Sequence, residues 1–96
     1  MAVAMSHPSF KEDHQELAAI LPRIDMLEVK AWKYRKGIAD GGAAGYHIGP
    51  YADQFKELFG IGDGVVINLA DAIGILFAGI KELNAKFNES TLGAYA

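Results

Sequence analysis

The chain has 96 residues, with 51% hydrophobic and 22% charged side chains and a net charge of −3, the make-up of one small globular domain rather than a disordered segment. It has no cysteine, so disulfides and thiolate metal sites are excluded. A domain this small buries only roughly 60–65% of its unfolded surface and needs a staple, which points to self-association.

Met1–Met5 is apolar but far too short for a signal peptide. Asp13-His14-Gln15-Glu16 has the form of a capping box, with Asp13 as N-cap, Glu16 at the third helical position and Leu17, Ile20 and Leu21 on one face. Pro22 is expected to stop this helix after two turns at most. Met26 to Arg35 reads as a strand. Its apolar phase changes between Leu27/Val29/Ala31 and Trp32/Tyr34, which asks for a bulge near Ala31 or a second covered surface. Lys30, Lys33, Arg35 and Lys36 are the one basic cluster, and with Glu28 among them they read as a solvated strand edge, not a nucleic-acid footprint.

Gly37 to Gly45 is a glycine-rich loop, and Tyr46 to Gly49 returns as a second strand, giving a hairpin. A helix follows, with Pro50 in its first turn, Gly60 at its end, and Tyr51, Phe55, Leu58 and Phe59 as a packed stripe. Gly60-Ile61-Gly62-Asp63-Gly64 is a turn rather than a phosphate loop, because it leaves a helix and no Lys-Ser/Thr pair follows. The loop at Gly37–Gly45 fails the same test.

Val65–Ile80 is the most hydrophobic run, but it is shorter than the ~20 residues of a membrane span and contains Asn68 and Asp71. The last helix carries Ile73, Ile80 and Phe87 at heptad position a and Leu69, Leu76 and Leu83 at d. Its e and g positions (Ala70, Ala72, Phe77, Gly79, Asn84, Lys86) are mostly small or apolar, so the buried face is wider than a two-stranded seam. The pattern leaves open a dimer, an assembly of three or more helices, or packing on the domain's own short helices. The fold class expected is α+β, mainly α with a small β-hairpin.

Chemistry-bearing residues are sparse. His7, His14 and His47 lack metal-ligand spacing, so no metal or cofactor is expected. Ser6 and Lys11 are five apart in Ser6-His7-Pro8-Ser9-Phe10-Lys11, and a lysine kept neutral by burial can act as general base to a serine. Spacing alone gives that pair no special weight.

Four segments together do. The family opening Ser-Asp-x-x-Leu-Lys corresponds to Ser6–Lys11, with His7 at the aspartate position. A strand of valine-x-x-tyrosine/tryptophan form corresponds to Val29-Lys30-Ala31-Trp32-Lys33-Tyr34. A His-Ile-Gly segment opens the middle helix at His47-Ile48-Gly49-Pro50-Tyr51-Ala52-Asp53-Gln54-Phe55. An apolar helix ends in Ile80-Lys81-Glu82-Leu83. In these the chain resembles the peptidase S74 family, the C-terminal intramolecular chaperone domains of phage tailspikes and tail fibres.

The resemblance implies a homotrimer through the Leu69–Phe87 helix that aligns an upstream fibre stalk of the same polypeptide, acting in the host cytoplasm during virion assembly. It implies Ser6 as nucleophile, Lys11 as general base, and Met5–Ser6 as the bond cut. The organisation expected is a stalk remnant over 1–5, the chaperone domain over 6–89 and a flexible tail over 90–96, with short helices and the hairpin packed on a long coiled-coil-like helix. No nucleic acid or membrane partner is expected. The alternative is a non-cleaving structural trimerisation cap of a fibre or adhesin.

Overall fold

The computed structural model describes residues 5–38 and 45–95, with side chains through residue 90. Three helices and one two-stranded antiparallel sheet follow a short 3-10 turn at Pro8–Phe10: α1 (Ile20–Met26), β1 (Lys30–Trp32), β2 (His47–Gly49), α2 (Ala52–Phe59) and α3 (Leu69–Tyr95). The chain is mainly helical with a small hairpin. Residues 1–4, and the expected loop at 39–44, lie outside the described residues. The chain divides into two compact units, one formed by residues up to Ile24 with those from Asn68 onward, the other by Asp25–Ile67.

In the first unit α1 lies on α3. The expected helix at Asp13–Leu21 is not formed. Asp13 and Ala19 both have positive φ (52° and 55°), and the helix begins at Ile20. Pro22 explains the shift. In a helix starting after Asp13 it would sit in the interior, where its missing N–H and its ring both oppose the hydrogen-bond ladder. In a helix starting at Ile20 it falls in the first turn, where no N–H bond is lost. Pro22 therefore opens α1 instead of closing it.

The exposed N–H groups of that first turn are satisfied from the far end of the sequence. Ile20 N–H donates to Glu82 Oε2 (2.8 Å) and Leu21 N–H to Glu82 Oε1 (3.1 Å). Arg23 reaches back to the carbonyls of Ala19 (3.1 Å) and Ala18 (2.6 Å), fixing the left-handed corner that leads into α1. Ile20 is fully buried, and Ile75 is buried on α3. Gly79 permits the close approach: a Cβ there would stand 2.8 Å from Ile24 Cδ1 and 3.6 Å from Ile20 Cγ2.

The face of α3 that meets α1 thus contains Ile75, Gly79 and Glu82. It is not the heptad seam. Leu69, Ile73, Leu76, Ile80, Leu83 and Phe87 are all 51–75% exposed on the single chain. The helix is as long as the heptads require and runs on to Tyr95, with Asn68 Oδ1 accepting from Asp71 N–H at its start (3.2 Å). No helix among the described residues is long and apolar enough to cross a membrane.

In the second unit the hairpin pairs Lys30 with Gly49, Ala31 with Ile48 and Trp32 with His47. The strand expected over Met26–Arg35 is shorter than anticipated, and no bulge interrupts its three pairs. Because α1 starts late it still holds Met26, and only Lys30–Trp32 pair with the three residues of β2. The changed apolar phase has a side-chain cause. Trp32 and Tyr34, two apart and so on one face, gather around His47, with Trp32 stacked on its ring (5.3 Å) and Tyr34 tilted against it (5.2 Å). Trp32 Nε1–H also donates to Gly49 O (3.3 Å). The basic side chains of β1 and its continuation are solvated, as expected: Lys30 pairs with Glu28 (3.4 Å) and Lys33 lies over the Tyr46 ring (4.9 Å).

Pro50 stands just outside α2, since Tyr51 is the N-cap. Gly60 closes α2 in the left-handed conformation (φ 71°), its N–H donating to Lys56 O (2.8 Å). Phe55 is buried and tilted against Phe59 (5.2 Å), as the stripe predicts. Gln54 ties α2 to the chain before β1: its Oε1 accepts from Glu28 N–H (2.7 Å) and its Nε2 donates to Met26 O (3.1 Å).

Three predictions concern α1 and α3. The Ile20 and Leu21 N–H bonds hold the Glu82 carboxyl below its ordinary value of 4.5. A carboxylate lowered on folding stabilises the fold above the unfolded value, and that contribution is lost as pH falls through the folded one. Glu82→Ala is therefore expected to lower Tm at pH 7, with the difference from the parent chain shrinking below pH 4. Gly79→Leu overpacks against Ile24 and should cost about 1–3 kcal/mol in urea unfolding. Gly74→Ala has open space around it and should add about 1 kcal/mol.

Candidate active site

Ser6 and Lys11 are brought together by the 3-10 turn between them. Pro8, at its first position, supplies the backbone angle the turn needs. The turn closes with Phe10 N–H on His7 O (3.0 Å) and Lys11 N–H on Pro8 O (3.0 Å). Reversal of the chain over three residues carries Lys11 back beside Ser6, and Lys11 Nζ donates to Ser6 Oγ at 2.8 Å.

His7 caps this turn. Its Nδ1 accepts from Ser9 N–H (3.1 Å) and stands 2.8 Å from Ser9 Oγ. Its ring meets Phe10 edge to face, 6.0 Å between centroids. Residues 5–12 are all exposed on the single chain.

The pair has the reach that nucleophilic chemistry needs. With the lysine amine neutral, the same 2.8 Å line carries the proton from Ser6 Oγ to Lys11 Nζ. With it charged, the ammonium donates to the oxygen and quenches its lone pair.

The remaining expected positions carry less. His14 lies in an exposed segment before α1, and His47 is occupied in the hairpin cluster. Among the described residues no group of three His, Asp or Glu side chains could hold a metal ion. At Gly60–Gly64 the N–H groups of Val65 and Val66 are bonded to Asp63 Oδ1 (2.8 and 3.0 Å), so the turn satisfies itself. The Val66 bond, then that of Val65, holds the Asp63 carboxyl below its usual range.

Sequence reasoning missed His7 as a cap, because histidine is not among the usual capping residues. The available signal was Pro8 directly after it, at a position that favours proline when a cap precedes. It also missed Glu82 and Gln54, whose partners lie 62 and 26 residues away.

A family model, Peptidase S74, described as chaperone of endosialidase, matches residues 9–61. That span begins within the turn, includes Lys11, and runs through the hairpin and α2. No curated protein and no solved structure matched the chain.

Proposed function

This chain belongs to the Peptidase S74 family, the chaperones of endosialidase, and from that premise we propose that it is a C-terminal intramolecular chaperone that trimerises, aligns an upstream fibre or tailspike stalk, and then releases itself by cutting Met5–Ser6. The observation that carries the release step is the 2.8 Å contact of Lys11 Nζ with Ser6 Oγ. The exposed a/d seam of α3 supports the assembly step.

Neutral Lys11 takes the hydroxyl proton as Ser6 Oγ attacks the Met5 carbonyl carbon. The tetrahedral centre collapses with loss of the Ser6 nitrogen, which receives the proton back from Lys11. The peptide becomes an ester between Met5 and Ser6 Oγ, with a free amine on Ser6. Water hydrolyses the ester, leaving a Met5 carboxylate and a chain that begins at Ser6. Lys11 must be neutral, which water opposes and an apolar cover favours. In this reading the trimer interface supplies the cover, and cleavage waits for assembly.

The physical logic of the chaperone role is register. A β-rich stalk pairs slowly and slips easily. A helical clamp that forms first brings three chains together in one alignment. The locked stalk then stays trapped after the clamp leaves, and the whole event takes place in the host cytoplasm where the virion is built.

A second reading has its own support. Ser6 and Lys11 are both exposed on the single chain, which suits a permanent trimeric cap with no cleavage.

With an upstream stalk attached, intact-mass analysis is expected to show a product beginning at Ser6, abolished in Ser6→Ala and in Lys11→Ala. A single uncleaved trimer in all three would leave the cap. In light-scattering measurements the parent domain should weigh three times the chain mass, and Ile80→Asp, which puts a charge in the seam, should return a folded monomer.

A further inference from the structure

We infer that His7 is a positioning residue for the Ser6–Lys11 pair: its unprotonated Nδ1 caps the turn that holds Lys11 Nζ on Ser6 Oγ. This rests on the reading of that pair as the cleaving dyad, but the geometry is independent of it. Three contacts converge on one short segment. Ser9 N–H points at His7 Nδ1 (3.1 Å), Ser9 Oγ lies 2.8 Å from the same nitrogen, and the turn so closed places Lys11 Nζ 2.8 Å from Ser6 Oγ.

A backbone N–H can only donate, so Nδ1 must present its lone pair and the ring must carry its proton on Nε2. In that tautomer both the Ser9 N–H and the Ser9 hydroxyl proton are directed at one acceptor. Phe10, edge-on to the ring, limits its rotation. A three-residue 3-10 turn has two backbone bonds of its own, so a side-chain cap is a large part of what holds it.

The cap depends on which ring nitrogen carries hydrogen. With hydrogen on Nδ1 the ring would face Ser9 N–H donor to donor and could only donate to Ser9 Oγ, so the backbone cap would be lost. The charged groups of the same segment are Lys11, which is turned onto Ser6, and Glu12 and Asp13; among the described residues no ion pair reaches the ring.

The test uses the full chain and four forms: parent, His7→Ala, His7→Asn and Ser6→Ala. Asparagine keeps a side-chain acceptor for Ser9 N–H. Cross-peaks between the Lys11 ε-methylene and Ser6 β-protons are followed by NMR at pH 8, and cleavage at Met5–Ser6 by intact mass. The parent should show the cross-peaks, with nitrogen shifts of the Nε2–H tautomer at His7. His7→Asn should keep the cross-peaks and the parent's cleavage rate. His7→Ala should weaken them and slow cleavage roughly two- to fivefold, the factor that loss of one ordinary cap imposes on a marginal turn. Cross-peaks unchanged in His7→Ala, or weakened in His7→Asn as much as in His7→Ala, would overturn the inference. Absence of cleavage in the parent as in Ser6→Ala would instead sink the dyad reading, while the cross-peaks still decide the role of His7.

Discussion

A 27-residue helix carries more apolar surface than a helix of seven residues can cover. That mismatch shapes the rest of the molecule. One face of α3 is cut to receive α1: Gly79 gives room for Ile20 and Ile24, and Glu82 takes the N–H groups that the start of α1 leaves unpaired. Among the described residues the a/d seam is at most half covered. Six side chains there are half or more in water, and covering each contributes on the order of 1–2 kcal/mol. Summed over the three chains of the proposed assembly this is tens of kcal/mol, the size needed to offset the about 4–15 kcal/mol lost in each association step. The two faces differ in what they do. The Glu82 face builds the single chain, and in the proposed trimer the seam meets like copies.

The same division explains how assembly and chemistry can be joined in a small chain. The Ser6–Lys11 pair sits on a short turn, with all of its side chains in water. Nothing within residues 5–12 removes that water. A lysine base needs it removed. In the proposed function, a site whose geometry is preset by the turn but whose environment awaits other chains stays inactive until they arrive. Local hydrogen bonds fix where the atoms stand, and assembly is proposed to decide the charge state of Lys11.

What was legible in the sequence follows the range of the interactions. The stripe of α2, its glycine stop and the long helix with its heptads are local patterns, and each appears where periodicity puts it. The hairpin is also local, and its second strand lies at His47–Gly49 within the segment expected. The entry to α1 was misread because the capping-box pattern at Asp13–Glu16 competes with Pro22. The decision falls to Glu82, 62 residues from Ile20, which caps the two N–H groups just before the proline. The strand at Met26 was lost to the same displacement of α1. At the candidate site the spacing of Ser6 and Lys11 was visible, but their contact depends on the turn, and the turn on a histidine cap that no composition rule flags. Which face of α3 meets its own chain was equally hidden, since Ile75 is the same residue type as Ile73 and Ile80 in the seam, and Gly79 differs from the seam residues in size rather than in polarity.

Assembly is proposed to switch on release. The product that begins at Ser6 can be followed while the chain is diluted across the proposed trimer–monomer equilibrium, with the trimeric fraction read in the same samples by mass. The cleavage rate should track the trimeric fraction and vanish with it. A rate that stays the same in the monomer, or a stable trimer that never cleaves, would contradict it.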